Sequence, residues 1–261
     1  MLTQEWQADP SADPRLALYA VASSPSTFNC RLSTSARKSA IVKSHAMFTG
    51  IIEHLGTISR FEVSGVGGKL TVHAPTLADK LAISASVAVN GCCLTIVHHD
   101  HEHFSADLSP ETLARTSFPL LKPGSQVNLE QPLRADKEFG GHFVLGHVDT
   151  TGRVAHLRAD GDSWNFGIQI PGELAPYVVN KGSLTVDGVS LTVARSQDSI
   201  AEIAVVPYTY QHTNIRDRLP GDPVNLEADI LGKYVERYLA QREPAAAPSG
   251  LSVEELVRQG F

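Results

Sequence analysis

The sequence predicts an all-β protein built from two tandem copies of one barrel-like or sandwich-like unit, with short helices beside the strands. At a shift of 97 residues, Val127-Asn128-Leu129-Glu130 falls on Val224-Asn225-Leu226-Glu227. Asn90-Gly91 and Asp187-Gly188 each separate two runs rich in apolar residues. Such dipeptides favour type I′ hairpin turns, which need a positive φ at both central residues. Short strands with turns about every 8–12 residues are typical of barrels and sandwiches.

Further matches extend the repeat over most of the chain. Pro123-Gly124 falls on Pro220-Gly221 at the same shift, and Gly50-Ile51-Ile52-Glu53 meets Gly146-His147-Val148-Asp149 at a shift of 96. A solenoid would repeat every 20–50 residues or so, and therefore the long period indicates a duplicated domain. The predicted strands lie at 50–61, 68–74, 84–89, 93–97, 125–130, 153–157, 165–170, 184–186, 190–193, 201–206 and 223–227.

Composition places the chain among soluble globular proteins. It has 261 residues, 42% hydrophobic and 19% charged, with a formal net charge of -6. The negative charge argues against a binder of nucleic-acid backbones, and no apolar run approaches the roughly 18 residues of a membrane helix. Two of the three cysteines, Cys92 and Cys93, are adjacent. This predicts a reducing compartment and a cytoplasmic protein.

The chain divides into five segments. Residues 1–46 show no sustained periodicity, and 31–46 are basic, Ser-rich and free of acids. This extension is interpreted as disordered or non-native, with Met47 as the working start, and an organellar transit segment is the alternative. The two units follow at 47–140 and 141–230. A helix is predicted at 231–241, then a linker and tail at 242–261 with a capping-box pattern at Ser252–Glu255.

Helices are predicted at two kinds of position. In the first unit, Ser109 is placed to cap a short helix with Pro110 as its first residue. At the end of the second unit, an apolar stripe lies on one helical face: Leu231, Val235, Tyr238 and Leu239. That stripe fits packing on its own barrel and association with copies of itself equally well.

Four motifs together resemble the riboflavin synthase family, α-chain type. They are Met47-Phe48-Thr49-Gly50-Ile51-Ile52-Glu53, Asn90-Gly91-Cys92-Cys93-Leu94-Thr95, Gly140-Gly141-His142 with Gly146-His147, and Asp187-Gly188-Val189-Ser190-Leu191-Thr192. They stand in the family's order and spacing, and the match spans about 47–241. The resemblance also favours Met47 as the native start.

This resemblance implies a specific architecture and reaction. Each half would be a six-stranded Greek-key β-barrel that holds one 6,7-dimethyl-8-ribityllumazine. The C-terminal helix would hold a homotrimer, with the productive site between the first barrel of one subunit and the second barrel of a neighbour. One lumazine would donate a four-carbon unit to the other, giving riboflavin and a ribitylamino-pyrimidinedione, with no metal or organic cofactor. Association with lumazine synthase is left open.

The candidate catalytic residues are Cys93, Ser86, His142 and Asp229. A thiol whose pKa is lowered by its neighbours is a nucleophile or proton carrier near neutral pH, and histidine can relay protons there. Strand alternation puts Cys93 and Cys92 on opposite faces, which makes Cys92 the core candidate. Each of the four also has a structural alternative, as a core thiol, a satisfied histidine, a strand-edge hydroxyl or a surface carboxylate.

Substrate contacts are carried over position by position from the family's motifs. The candidates are Phe48, Thr49, Gly50, Ile51, Ile52, Leu94, Thr95, Asp107, Thr112, Gly146, His147, Val148, Lys181, Ser190, Leu191, Thr192, Val206, Thr209 and Gln211. One departure is that Pro110-Glu111-Thr112-Leu113 in the first unit becomes Pro207-Tyr208-Thr209-Tyr210 in the second. This substitution puts the affinity of the second barrel in doubt more than the chemistry.

Three rival interpretations remain open. A non-catalytic lumazine or flavin carrier would share the duplicated fold, but retention of all four candidate catalytic residues favours the enzyme. The flavin-binding barrel of a reductase would need a following nucleotide-binding domain with a Gly-rich turn, and none precedes Phe261. The His-rich stretch at His98–His103 suggests a metal site, but a solvated loop after a strand is favoured and no metal is predicted.

Overall fold

Six antiparallel strands close the first barrel. They are β1 (His54–Ser64), β2 (Gly67–His73), β3 (Ser86–Val89), β4 (Cys92–His99), β5 (His103–Leu108) and β6 (Gln126–Glu130). Their order around the barrel is β1-β2-β5-β4-β3-β6, and β6 pairs with β1 to close it. Neighbours that are not consecutive in sequence give the sheet a Greek-key arrangement.

The second barrel repeats this arrangement. Its strands are β7 (Thr150–Asp160), β8 (Ser163–Gln169), β9 (Ser183–Val186), β10 (Val189–Gln197), β11 (Ile200–Val205) and β12 (Pro223–Ala228). They close in the order β10-β11-β8-β7-β12-β9. The predicted duplication into two six-stranded β-barrels is therefore confirmed.

The fold is that of a computed structural model, which describes residues 46–241 and 257–260. The predictions for 1–45 and for the linker and capping box at 242–256 lie outside these residues. Within the described ranges, no helix is long and apolar enough to cross a membrane.

Both hairpin turns have the predicted backbone. Asn90 and Gly91 have φ of 43° and 75°, and Asp187 and Gly188 have φ of 46° and 80°. Each pair therefore has the two positive φ angles that a type I′ turn requires.

The helices begin at or next to the predicted residues. Helix α1 (Pro110–Arg115) is capped by Ser109, whose Oγ accepts from Thr112 N at 3.0 Å. Helix α2 (Pro207–His212) follows Val206, which offers no side-chain cap. Helix α3 (Ile230–Ala240) is the predicted C-terminal helix, and its apolar stripe is more than half exposed within the chain. Three of its residues, Leu231, Val235 and Leu239, line an open cavity beside the second barrel.

Strand β5 is missing from the sequence prediction. Its inward residues Phe104, Ala106 and Leu108 alternate with polar ones, but it begins inside the His-rich stretch that the sequence assigns to a loop. The loop assignment was wrong for His98, His99 and His103, which belong to β4 and β5. Among the described residues, no three His, Cys, Asp or Glu side chains are grouped so as to hold a metal ion.

The repeated Val-Asn-Leu-Glu sequence serves both the barrel core and the junction between the barrels. Its valine and leucine lie fully buried in each core. Asn128 Nδ2 donates to Asp187 O, and Asn225 Nδ2 donates to Asn90 O, both at 2.9 Å. The two barrels are thus joined by reciprocal, buried hydrogen bonds at their hairpin turns, which satisfy groups that would be costly to bury unpaired.

Candidate active site

Two short segments cross between the barrels, and they position the candidate site. Residues 46–50 precede the first barrel and residues 142–146 precede the second. They run antiparallel, with Phe48 N donating to Val144 O at 2.8 Å and Val144 N to Phe48 O at 3.2 Å. Phe48, Val144 and Ala88 form a small apolar cluster, against which Ala46 and Cys93 pack.

Each crossing segment ends against the barrel of the other copy. Ser190 N in the second barrel donates to Gly50 O at 2.8 Å, and Cys93 N in the first barrel donates to Gly146 O at 2.8 Å. Beyond these glycines, Ile52 packs on the second core and Val148 on the first. Each barrel core is therefore packed against by the opening residues of the other repeat, which sequence reasoning did not predict.

The two glycines permit this close approach. Gly146 has a φ of 74°, and a Cβ there would lie 2.7 Å from Cys93 Cβ. Gly50 has a φ of 77°, and its Cβ would lie 2.6 Å from Ser190 Cβ. An L-residue would combine a left-handed backbone with a steric clash. The alignment of Gly50 with Gly146 was the sequence signal for this contact.

A cavity of about 350 Å³ lies beside Cys93 in the first barrel. Five predicted residues line it: Cys93, Thr112, Gly146, His147 and Val148. Four further lining residues were not predicted, namely Cys92, Glu111, Arg115 and Thr116. Arg115 Nε donates to Glu111 Oε1 at 2.9 Å across one turn of α1, so helical spacing was the signal for this pair.

Cys93 and Cys92 lie on opposite faces of β4, as the alternation predicts. Cys92 belongs to the first core, and burial raises its pKa to about 12. Burial also raises the pKa of the Cys93 thiol, a hydrogen bond with Ser86 lowers it in part, and the charge of Glu227 raises it again. Desolvation is the largest of these causes, so the site favours the neutral thiol of Cys93.

His142 lies on the second barrel, held between two hydroxyl groups. Its Nδ1 is 2.7 Å from Ser190 Oγ, and its Nε2 is 3.1 Å from Thr185 Oγ1. Burial lowers the pKa of His142, and the charge of Asp229 opposes that shift. A neutral imidazole can donate through one nitrogen and accept through the other. Both ring nitrogens are therefore engaged, and this geometry holds Ser190 in place.

Asp229 caps the C-terminal helix. Its carboxylate accepts from Leu231 N at 3.0 Å. It also lines a cavity of about 570 Å³ between α3 and the second barrel, together with Ser183, the counterpart of Ser86. Within one chain, the four candidate catalytic residues are thus divided: Cys93 and Ser86 lie on the first barrel, and His142 and Asp229 on the second.

The remaining predicted contacts fall into three groups. Phe48 and Thr49 are fully buried between the barrels, and Leu94 and Leu191 point into the cores. Gly50 and Ile51 lie at the end of the 46–50 segment next to the second barrel, between Thr49 and Ile52, and Ile52 packs on the second core. The others lie outside the cores, on strands (Thr95, Asp107 and Thr192), in a turn (Lys181), or in α2 and at its N-cap (Val206, Thr209 and Gln211).

Comparison with known proteins agrees with the duplication and the motifs. The lumazine binding domain family model matches twice, at residues 49–132 and 145–229. Riboflavin synthase of Photobacterium phosphoreum is 42% identical over 217 residues, which cover 82% of this chain and 99% of that protein. The Actinobacillus pleuropneumoniae enzyme is 39% identical over 215 residues, covering 82% and 100%. The chain belongs to the riboflavin synthase family. Riboflavin synthase of Bacillus subtilis is 36% identical over 215 residues, which cover 82% of this chain and 100% of that protein.

Solved structures share the fold of this riboflavin synthase family member. LumP complexed with 6,7-dimethyl-8-(1'-D-ribityl) lumazine superposes with a TM-score of 0.64 at 22% identity, covering 69% of this chain and 98% of LumP. LumP complexed with riboflavin gives a TM-score of 0.66 at 23% identity, with the same coverage. At this level of identity the likeness supports the two-barrel fold alone.

Proposed function

We propose that this chain catalyses the dismutation of two molecules of 6,7-dimethyl-8-ribityllumazine. One molecule gives a four-carbon unit to the other, and the products are riboflavin and 5-amino-6-(D-ribitylamino)uracil, the last step of riboflavin biosynthesis. The observation that carries this proposal is the cavity at Cys93, which joins the reactive strand of the first barrel to the opening residues of the second repeat. Membership of the riboflavin synthase family supports it.

This reaction needs no resident cofactor. The atoms of two identical substrates account for both products, so neither an oxidant nor a net water molecule is consumed. The protein must align the rings, exclude water and move protons. Alignment of two reactants can supply about 7–11 kcal/mol of a barrier.

We assign the first-barrel pocket to proton handling at the ring of one substrate. The acidic C7 methyl group must lose a proton, and the partner ring must accept a nucleophile. Cys93 enters as a neutral thiol hydrogen-bonded to Ser86, so it serves first as a hydrogen-bond donor and proton carrier. Thr112 and His147 offer polar groups at the same cavity for ring edges or the ribityl chain.

We further propose that a neighbouring subunit completes the site. His142 and Asp229 lie on the second barrel, apart from the Cys93 cavity of their own chain, which suits a site shared between copies. The exposed stripe of α3 offers a surface for such an assembly, and a homotrimer is the expected state. The domain boundaries near 140 and 230, the cytoplasmic location and an association with lumazine synthase stand as parts of the same proposal.

The decisive experiment is a cofactor-free assay with 6,7-dimethyl-8-ribityllumazine, followed by riboflavin absorbance. We expect one riboflavin for every two lumazines consumed, and Cys93→Ser should lower kcat by about a hundredfold or more. The matched comparison is Ser190→Ala, at the position of the second barrel that corresponds to Cys93, together with a urea-unfolding midpoint for each variant.

Two outcomes would contradict the proposal. Tight lumazine binding without turnover would make the chain a carrier. Turnover that survives Cys93→Ser at the wild-type rate would retain the reaction but remove Cys93 from it.

A further inference from the structure

Two buried carboxyl groups anchor the crossing segments, one from each barrel. Glu130 holds the 46–50 segment and Glu227 holds the 142–146 segment. They are the last residues of the repeated Val-Asn-Leu-Glu sequence and are 2% and 3% exposed. Neither has a role in the proposed proton transfers.

The two anchors are not equally satisfied. Glu130 Oε1 accepts from Thr49 N and from Thr49 Oγ1, both at 2.7 Å, and its Oε2 accepts from Gly50 N at 2.9 Å. Glu227 Oε1 accepts from Leu145 N at 2.7 Å. Leu145 takes the place of Thr49 and has no hydroxyl group to donate.

The second oxygen of Glu227 is an unusual feature of this site. The Gly146 amide acts on the carboxyl group only weakly, and Oε2 has no partner with hydrogen-bond geometry among the described residues. A buried polar atom without a partner is costly, and native proteins contain few of them. Its counterpart on Glu130 is satisfied, so the gap is specific to the second barrel.

Glu227 is linked to the Cys93 cavity through the backbone. It binds the amide of Leu145, and the next carbonyl, Gly146 O, accepts from Cys93 N at 2.8 Å. Gly146, His147 and Val148 then line the cavity. The carboxyl group therefore holds the wall that the second repeat contributes to the first-barrel pocket.

Charged and titratable groups surround Glu227 on several elements. Lys233 of α3 favours its ionised form, and Asp149 opposes it. The negative charge of Glu227 also raises the pKa of Cys92 and of Cys93 on β4. On β9, Thr185 stands opposite Glu227 and is hydrogen-bonded to His142.

We propose that Glu227 is a positioning residue for the first-barrel pocket, and that uptake of one proton by its carboxyl group loosens the Gly146–Val148 wall against Cys93. An ionised carboxylate accepts a stronger hydrogen bond from the Leu145 amide than a neutral acid does. Substrate binding in this pocket therefore strengthens as Glu227 loses its proton. The inference rests on the proposed function for the identity of the substrate.

The raised pKa of Glu227 brings the loss of its proton into the neutral pH range, where this role would operate. Burial is the largest cause that raises the pKa of Glu227 from 4.5 to about 7. Because the folded-state value is above the unfolded one, the protein takes up this proton on folding. The resulting stability is complete below the unfolded pKa and is lost as the pH rises through about 7.

The test measures the KM and the dissociation constant for 6,7-dimethyl-8-ribityllumazine between about pH 6 and about pH 8. We expect wild-type KM to fall several-fold as the pH rises, with kcat changing less. Glu227→Gln should remove that inflection. Leu145→Thr restores the missing hydroxyl donor and should move the inflection down by about one pH unit.

Glu130→Gln is the matched control. Its amide would face the Gly50 N–H, so we expect it to lower the urea-unfolding midpoint at every pH. Glu227→Gln places its amide at the unpartnered position. Above about pH 7 its urea-unfolding midpoint should be higher than that of the wild type, because the glutamine has no proton to lose and stays neutral when buried.

An unchanged inflection in both Glu227→Gln and Leu145→Thr would overturn the inference. If the wild type binds lumazine without turnover, the proposed function fails, and the pH dependence of the dissociation constant still decides the role of Glu227. If lumazine does not bind, the substrate assignment and this inference both fail, and the unfolding profiles then report only the titration of Glu227.

Discussion

The two barrels have the same frame but different polar groups on the faces that meet. In the first, Ala88 and Cys93 are paired on neighbouring strands, and Cys93 and Ala46 both pack on the small apolar cluster that contains Ala88. In the second, Thr185 and Ser190 occupy those places and both hydrogen-bond to His142. The first barrel thus presents a thiol at an apolar contact, whereas the second presents a closed hydroxyl–imidazole cluster. Two identical substrates bound to these faces would meet different chemistry, as a donor and an acceptor require.

The largest effect should come from the feature that the barrels share. Gly146→Ala adds a Cβ at a φ of 74° and 2.7 Å from Cys93 Cβ. We expect a loss of about 2–5 kcal/mol in unfolding free energy, from backbone strain and the clash together. Urea denaturation measures this loss.

Gly124→Ala is its control, because Gly124 has a φ of 93° with nothing within 4 Å of the added atom. Gly124→Ala should therefore lose only the part of the unfolding free energy that comes from backbone strain. Equal losses in both variants would mean that the contact with Cys93 is unimportant for stability.

A medium effect is expected where Tyr210 of the second barrel stands in place of Leu113 of the first. Tyr210 stacks on Trp164 with ring centroids 3.9 Å apart, whereas the first barrel has Leu113 beside Gly68. Tyr210→Leu should cost about 0.5–1.5 kcal/mol beyond the lost buried area. Unfolding followed by Trp164 fluorescence in a Trp6→Phe background measures it.

The reciprocal variant sharpens the comparison between the barrels. Leu113→Tyr supplies a ring where Gly68 stands instead of a tryptophan and the ring of Phe61 is also near Gly68, so it should gain less stability than Tyr210 contributes. A gain as large as the contribution of Tyr210 would show that stacking on Trp164 is not what makes the tyrosine stabilising.

The smallest effect concerns the helix caps. Ser109 caps α1, but Val206 gives α2 no side-chain cap. Val206→Ser should stabilise the second barrel by about 0.5–1 kcal/mol, and Ser109→Val should destabilise the first by a similar amount. Thermal unfolding of both variants checks the pair, and changes of the same sign would contradict the capping argument.

Much of the fold was predictable because its signals are local or repeated. Asn90-Gly91 and Asp187-Gly188 specify turns through backbone sterics, and alternation specifies which face of β4 is buried. The repeated Val-Asn-Leu-Glu revealed the duplication. Its asparagine and glutamate were unexplained until the structure showed them bonding across the junction and to the crossing segments.

The exchange of the crossing segments could not be predicted from one sequence. Gly50 and Ser190 are far apart along the chain, and their hydrogen bond joins two backbone groups, so neither side chain indicates the contact. The raised pKa of Cys93 was also out of reach, because it depends on burial by Phe48 and Val144 from outside its own strand. The motifs did place five predicted residues around one cavity. Their roles in catalysis stay predictions.

Because each crossing segment contacts the barrel of the other repeat, the two contacts form in a fixed order as the chain is synthesised. Gly50 O accepts from Ser190 N, and Gly146 O accepts from Cys93 N, so one segment must wait for strand β10 while the other finds β4 already made. At a synthesis rate of about 5–20 residues per second, the first segment leaves the ribosome on the order of ten seconds before Ser190 does. During that interval Gly50 has no partner on β10, and the first-barrel pocket lacks the wall from the second repeat until Gly146 has been made. A chain released before β10 would therefore keep the Gly146 contact with Cys93 but leave the 46–50 segment without Ser190.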